Sequence, residues 1–202
     1  CMWPIWKYGS ETQKEKWLPA MGRGEVIGAF GLTEPDFGSD PGGMLTTARR
    51  HGDTWVLNGT KYWITNGGIA DYMTVFATVD PALKHKGICA FVVERDWEGV
   101  SSGRHIPKLG QRASNTAALH FKNVRVPAES VLAEPGQGFV LAMKTFSRTR
   151  PVIGAFAVGA ARSAMEFAID YAKRRKAFGT HIANFQAIQH KIADMYQKVE
   201  TA

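Results

Sequence analysis

Phe30-Gly31-Leu32-Thr33-Glu34-Pro35-Asp36-Phe37-Gly38-Ser39-Asp40 runs an apolar, strand-like segment straight into a tight loop of glycine, proline and hydroxyl side chains. Such a loop suits a phosphate. Gly38 lets backbone N–H groups approach an anion, Thr33 and Ser39 add hydroxyl donors, and Pro35 fixes φ and ends any helix. The same residues also make an ordinary turn after a strand, since short Gly/Ser motifs arise often by chance.

Outward from this stretch, residues 25–126 consist of short runs rich in Val, Ile, Phe, Trp and Thr, punctuated by Gly, Asn, Asp and Pro. This texture predicts an antiparallel β unit. His51-Gly52-Asp53 and Asn58-Gly59 bracket a strand at residues 54–57, and Asn-Gly is a strong hairpin signal. Residues 72–79 and 87–94 form the next pair, followed by strands near 103–109, 117–121 and 124–126. The spacing suggests a small barrel or sandwich. Upstream, Gly9-Ser10-Glu11 reads as a helix N-cap, with the helix leaving at Leu18-Pro19. Downstream of Pro127 the pattern becomes helical. Phe139, Met143 and Phe146 share one face, Pro151 is expected to kink or divide the helix, and residues 152–172 are rich in Ala and Gly. Phe185, Ile188, Ile192, Met195 and Val199 form the apolar face of a last helix. The fold class is therefore α+β, an antiparallel barrel or sandwich followed by helices of an up-down bundle.

The 202 residues are 45% hydrophobic and suffice for one domain or two. No unbroken apolar run reaches the roughly 20 residues of a membrane span, and no signal-peptide layout stands at the start. Cys1 and Cys89 are too few for a disulfide framework or a metal cluster, which points to a reducing compartment, cytoplasmic or matrix. The net charge is +7, and residues 101–150 carry eight basic and two acidic side chains, an excess of six. These cations are dispersed and no nucleic-acid motif accompanies them. A phosphate-rich small molecule accounts for them better, and a solvated basic face accounts for any one of them equally.

Lys61-Tyr62-Trp63-Ile64-Thr65-Asn66-Gly67-Gly68, taken with the opening stretch, resembles the flavin-binding strands of acyl-CoA dehydrogenases. Lys108-Leu109-Gly110-Gln111-Arg112-Ala113-Ser114 and Arg175-Lys176-Ala177-Phe178-Gly179, with Phe185-Gln186 beyond, match the same family in order. The resemblance extends to about Val199. It implies three parts: residues 1–24 as the end of a helical N-terminal domain, 25–130 as the middle β domain, and 131–202 as the start of a helical C-terminal domain. It also implies FAD as cofactor, an acyl-CoA substrate, electron-transferring flavoprotein as acceptor, and a dimer or tetramer. Gly31-Leu32-Thr33-Glu34-Pro35 together with Tyr8-Gly9-Ser10 has some flavour of glutaryl-CoA dehydrogenases within that family.

By resemblance, Phe30, Leu32 and Thr33 meet the polar edge of the flavin through their backbone, with Gly38 and Ser39 near the pyrophosphate or the CoA. Trp63 covers the ring, Thr65 bonds its N5, and Ile64 lies between them. Ser147 and Arg150 line the CoA cleft, as does Ser39. Arg175, Phe178 and Gln186 contact a flavin across a subunit interface. On residue type alone, Trp63 reads as a core aromatic, Thr65 as a β-former and Arg150 as an ion-pair partner. Phe37 and Phe185 depart from the family, which has a small residue and a His at those places. The family's catalytic Glu is expected in later helices or one residue before the match to Arg150, where this chain has Thr149. A hydroxyl cannot serve as that base. The chain is therefore expected to be a piece lacking its base, and a flavin monooxygenase or a non-catalytic binding fragment are the alternatives.

Overall fold

The computed structural model describes residues 1–202. The chain divides into two compact units, Cys1–Thr145 and Phe146–Ala202.

The first unit opens with helices α1 (Met2–Tyr8) and α2 (Glu11–Arg23). Ser10 caps α2 as the sequence suggests, its Oγ accepting from the Gln13 N–H at 3.2 Å while the Gln13 Oε1 accepts from the Ser10 N–H at 2.8 Å. The expected exit at Leu18-Pro19 is not where the helix ends. Pro19 lies inside it, and the stop is Gly24 in the left-handed region with φ 73°. Trp17, 1% exposed, seats α2 on the sheet by donating its Nε1–H to Glu94.

Eight strands follow: β1 (Gly28–Gly31), β2 (Thr47–His51), β3 (Thr54–Thr65), β4 (Tyr72–Thr78), β5 (Ile88–Glu94), β6 (Val100–Ser102), β7 (Thr116–Pro127) and β8 (Val131–Leu132). They form one sheet in the order β6-β7-β3-β2-β4-β5-β8, with β1 beside β4. The ladders are antiparallel with two exceptions: β1 pairs β4 in parallel, and Thr47 of β2 meets Thr78 of β4 in parallel. The chain between β1 and β4 is long enough for such a crossover. Leu57, Met73, Val75, Phe91, Val93, Leu119 and Val124 are fully buried in the core, where Trp55 meets Phe91 edge-on at 5.6 Å. Each such side chain contributes about 1.5–3 kcal/mol.

Three strand expectations change. Asn58-Gly59 is not a hairpin; β3 runs straight through it, and the two-residue turn is Gly52-Asp53, with Gly52 at φ 62°. Asn58 instead accepts the Asn123 N–H at 2.8 Å, where Asn123 is an extra residue on β7 with φ 52°. Gly59 is required because a Cβ there would lie 2.4 Å from Thr46 Oγ1. The two segments read at 117–121 and 124–126 are thus one bulged strand, β7. Residues 103–109 form no ladder strand; only Gly103 and Ile106 make backbone-to-backbone bonds to β7, and Pro107 has no N–H to give.

The second unit holds the C-terminal part of helix α3 (Gly138–Arg174), the hairpin β9 (Lys176–Ala177) and β10 (Thr180–His181), and helix α4 (Gln186–Thr201). Pro151 does not divide α3, which runs unbroken through it over its 37 residues. By length and composition α3 is long and apolar enough to cross a bilayer, features that a core helix of a folded bundle shares. In the sequence its apolar run is interrupted by Arg162. Arg162 and Glu200 tie α3 to α4 at 3.1 Å, and Met165, Ala172 and Val199 are buried here. The expected face of α4 is only partly covered: Val199 is buried while Met195 is 40% exposed.

Candidate functional site

The loop after β1 is held by a buried ion pair that the sequence reading did not single out. Lys61, 0% exposed, donates to Glu34 Oε1 at 2.8 Å and to the Leu32 carbonyl at 3.1 Å. Glu34, 3% exposed, also accepts the N–H groups of Leu45 at 2.6 Å and Thr46 at 2.9 Å. Burial works against the Glu34 charge, but the Lys61 ammonium and these donors outweigh it and hold the carboxyl below its usual range. Burial likewise pushes Lys61 down, to about 8, against the pull of Glu34. With the Tyr62 N–H donating to the Thr33 carbonyl at 2.8 Å, both ends of the loop are fixed to β3. The carbonyls of Leu32 and Thr33 are therefore engaged within the protein.

Beyond the pair, the loop faces solvent. Gly38, Ser39 and Asp40 are exposed, and Asp40 accepts the Gly42 N–H at 3.2 Å. Gly38 has no positive φ, and a Cβ on it would meet only Thr33 Cγ2 at 3.8 Å. The chain's own packing makes no demand for glycine there, so the space above it is open to a ligand. Phe37, a departure from the family pattern, is folded back onto Gly43, where a Cβ would strike its ring.

Trp63 is not a core aromatic. Strand parity set by Trp55 and Leu57 points Lys61 inward and would bring Trp63 in as well. Between Lys61↔Leu119 and Ile64↔Ala117 the register gains one residue on β3, and this bulge turns Ile64 into the core and Trp63 out. Trp63 has φ 58° and is 55% exposed, with its ring edge-on to Tyr62 at 5.3 Å. Thr65 closes β3, opposite Thr116, and is exposed. Phe30 is half-buried against Phe76, the rings 4.9 Å apart.

In the second unit, Phe178 and Gly179 form a two-residue turn with φ 52° and 80°, and Phe178 is 97% exposed. Arg175 and Gln186 are exposed at the start of the hairpin and of α4, so one short segment presents all three residues. Ser147 and Arg150 are exposed on α3. No carboxylate lies within ion-pair distance of Arg150, whose guanidinium sits 5.8 Å from the Phe146 ring instead. Lys108 has a structural task, closing its loop through the Ser114 carbonyl and the Thr116 hydroxyl, both at 2.8 Å.

Trp63 and Phe178 share an unusual condition: each is an exposed aromatic in left-handed backbone, which costs an ordinary residue roughly 1–2 kcal/mol. Strain of this kind persists where the surrounding structure imposes it and gathers at ligand sites. The family models give the pattern its place. The acyl-CoA dehydrogenase N-terminal domain matches residues 1–25, the middle domain 29–124 and the C-terminal domain 136–202. The chain belongs to the acyl-CoA dehydrogenase family. Human mitochondrial short-chain specific acyl-CoA dehydrogenase is 47% identical over 98% of this chain and 48% of its own length. Butyryl-CoA dehydrogenase from Megasphaera elsdenii superposes with a TM-score of 0.97 at 44% identity, over all of this chain and 53% of that one. A glutaryl-CoA dehydrogenase from Mycobacterium smegmatis, solved in complex with FADH2, gives 0.91 at 44% identity over 98% and 50%. The chain thus spans about half the length of the relatives it matches, and glutaryl-CoA dehydrogenase is one neighbour among several.

Proposed function

We propose that the protein carrying this chain is an FAD-dependent acyl-CoA dehydrogenase that removes the α- and β-hydrogens of a short acyl-CoA thioester. The observation that carries this reading is the bulge that holds Trp63 out of the core beside exposed Thr65, within the part that matches the family's middle domain. When bound, FAD supplies the acceptor for the hydride that leaves the β-carbon. The residues present fit such a group. The Trp63 ring covers one face and excludes water, the Thr65 hydroxyl orients the reacting edge, and the ordered Phe30–Thr33 backbone, with Ile64 fixed in the core beneath, sets the register. Gly38 and Ser39 leave an open, hydroxyl-bearing approach for a phosphate. On the C-terminal unit, Ser147 and Arg150 take the CoA side, and Arg175, Phe178 and Gln186 serve a flavin held by a second copy, which makes the working unit a dimer or tetramer.

The short acyl chain is suggested by the name of the 47% identical relative; the glutaryl reading has less support. Electron-transferring flavoprotein is the proposed acceptor and the cytoplasm or a mitochondrial matrix the proposed compartment. The division at residues 24/25 and 130/131 belongs to the same reading. So does the absence of the α-proton base from these 202 residues. Glu34 is spent on Lys61, Glu94 on Lys16 and Trp17, and Asp71 on the Ile27 N–H. A monooxygenase on this scaffold has no observation in its favour.

The test is to purify the natural full-length protein with FAD and add butyryl-CoA. Flavin absorbance that bleaches on addition is expected; a protein that holds no flavin, or whose flavin no acyl-CoA bleaches, sinks the reading. The 202-residue chain alone, given FAD, butyryl-, octanoyl-, isovaleryl- or glutaryl-CoA and an electron-accepting dye, is expected to stay at the no-enzyme rate. A positioned base is worth about 10²–10⁴-fold.

A further inference from the structure

The turn that follows Thr65 is held from outside by a residue to which no function attaches. Asn66 has φ 63°, its N–H donates to the Asn115 carbonyl at 2.8 Å, and the Gly67 N–H returns to the Ile64 carbonyl at 3.0 Å. Onto this turn closes Arg95, half-buried at the end of β5. Its Nη2 donates to the Gly67 carbonyl at 2.6 Å, its Nε to the Ala70 carbonyl at 2.6 Å, and its Nη1 to Ser102 Oγ at 3.1 Å. The Arg95 N–H donates to the Asp71 carbonyl at 2.8 Å, so its backbone is fixed to the same segment. No carboxylate lies within ion-pair distance of the guanidinium. The guanidinium thus meets only neutral acceptors, two peptide carbonyls and a hydroxyl, and the Gly67 carbonyl belongs to the residue whose N–H bonds Ile64.

A rigid fork is suited to this task. The planar guanidinium sets two carbonyls at a fixed separation, which a lysine ammonium cannot do. The uncompensated charge also has a consequence for chemistry nearby. Reduction adds negative charge to a flavin ring, and a partly desolvated cation favours the state with more negative charge. Resting on the reading of Trp63 and Thr65 as flavin contacts, we propose that Arg95 is a positioning residue for that edge. It locks the 66–70 turn so that Thr65 and Trp63 are presented in one geometry, and it tilts the bound flavin toward its reduced form.

Three variants of the natural full-length protein test this: Arg95→Gln, Arg95→Lys and Thr65→Ala. In the protein stripped of FAD, Arg95→Gln is expected to speed amide exchange at Gly67–Ala70 at least about tenfold. In the FAD-loaded protein it shifts the reduction equilibrium about tenfold toward the oxidised form, or about 30 mV for a two-electron couple. Arg95→Lys keeps the charge without the fork, so exchange stays fast while the potential returns toward that of the parent. A parent-like potential in Arg95→Gln, or parent-like exchange in Arg95→Lys, overturns the proposal; where the glutamine variant does not fold, the lysine variant decides by the same separation of readouts. Thr65→Ala reports on the underlying reading. If its bound-flavin spectrum and potential match the parent's, Thr65 is not a flavin contact and that reading fails, whereas the exchange measurement still judges the clamp.

Discussion

Replacing Lys61 by Met tests how the cofactor loop is held. The side chain is fully buried and offers its donors to Glu34, the Leu32 carbonyl and, at 3.9 Å, Met44 Sδ. Removing it leaves the Glu34 carboxylate charged at 3% exposure, still bonded to the Leu45 and Thr46 N–H groups but without a cation. Breaking a buried pair from one side costs about 3–5 kcal/mol. Glu34→Gln alone leaves the opposite problem, an ammonium buried without its counter-charge. The double change Lys61→Met/Glu34→Gln leaves a neutral acceptor for the two N–H groups and no charge at all. Its cost should fall short of the sum of the single changes by about 2–3 kcal/mol. Urea unfolding followed by tryptophan fluorescence gives each value from its midpoint and slope. Additive costs, agreeing within about 0.5 kcal/mol, would refute the idea that the pair acts as one device.

Acid should loosen the same loop. The folded Glu34 pKa lies below its ordinary 4.5, so its stabilisation is complete above that value and is lost as pH falls through the folded pKa. Glu34→Gln should flatten stability against pH below about 4.5, and an unchanged acid slope by calorimetry would count against it. Gly59→Ala puts a Cβ 2.4 Å from Thr46 Oγ1 at φ 149° and should cost about 2–4 kcal/mol in a urea melt. A cost under about 0.5 kcal/mol would mean that β2 and β3 separate there easily. Trp63→Gly relieves a left-handed residue of about 1–2 kcal/mol while removing a half-exposed ring. The FAD-free protein should melt no lower than the parent while flavin occupancy drops, and a melting loss above about 5 °C would show that Trp63 is needed for packing.

The α+β class and most element positions were legible because period and punctuation are local signals. The Ser10 cap, the β4–β5 pair and the last helix needed only neighbours in sequence. What escaped were features decided across strands. Asn58-Gly59 has the composition of a turn, but its conformation is set by Thr46, just before β2, and by the extra residue Asn123 on β7. Lys61 could have been noticed, since it occupies an inward position two residues beyond Gly59, and a lysine there demands a buried acid. Which acid it finds depends on the return of the Glu34 loop, and that is a tertiary fact. Arg95 carries no sequence signal: its partners are carbonyls, which every residue has.

The bulge at Trp63 also makes chain length between Lys61 and Ile64 a matter of inside and outside. In most strands the loss of a residue is absorbed by sliding the ladder or shortening a loop. Here the ladder is pinned at Lys61↔Leu119 and at Ile64↔Ala117, so one residue deleted between them would restore unbroken alternation and leave a single side chain between two inward-facing ones where Tyr62 and Trp63 now stand. Tyr62 and Trp63 would have to give way to one side chain. A lineage could therefore change the identity of residue 63 without disturbing the ladder, yet could shed a residue here only by giving up the surface that the extra position creates.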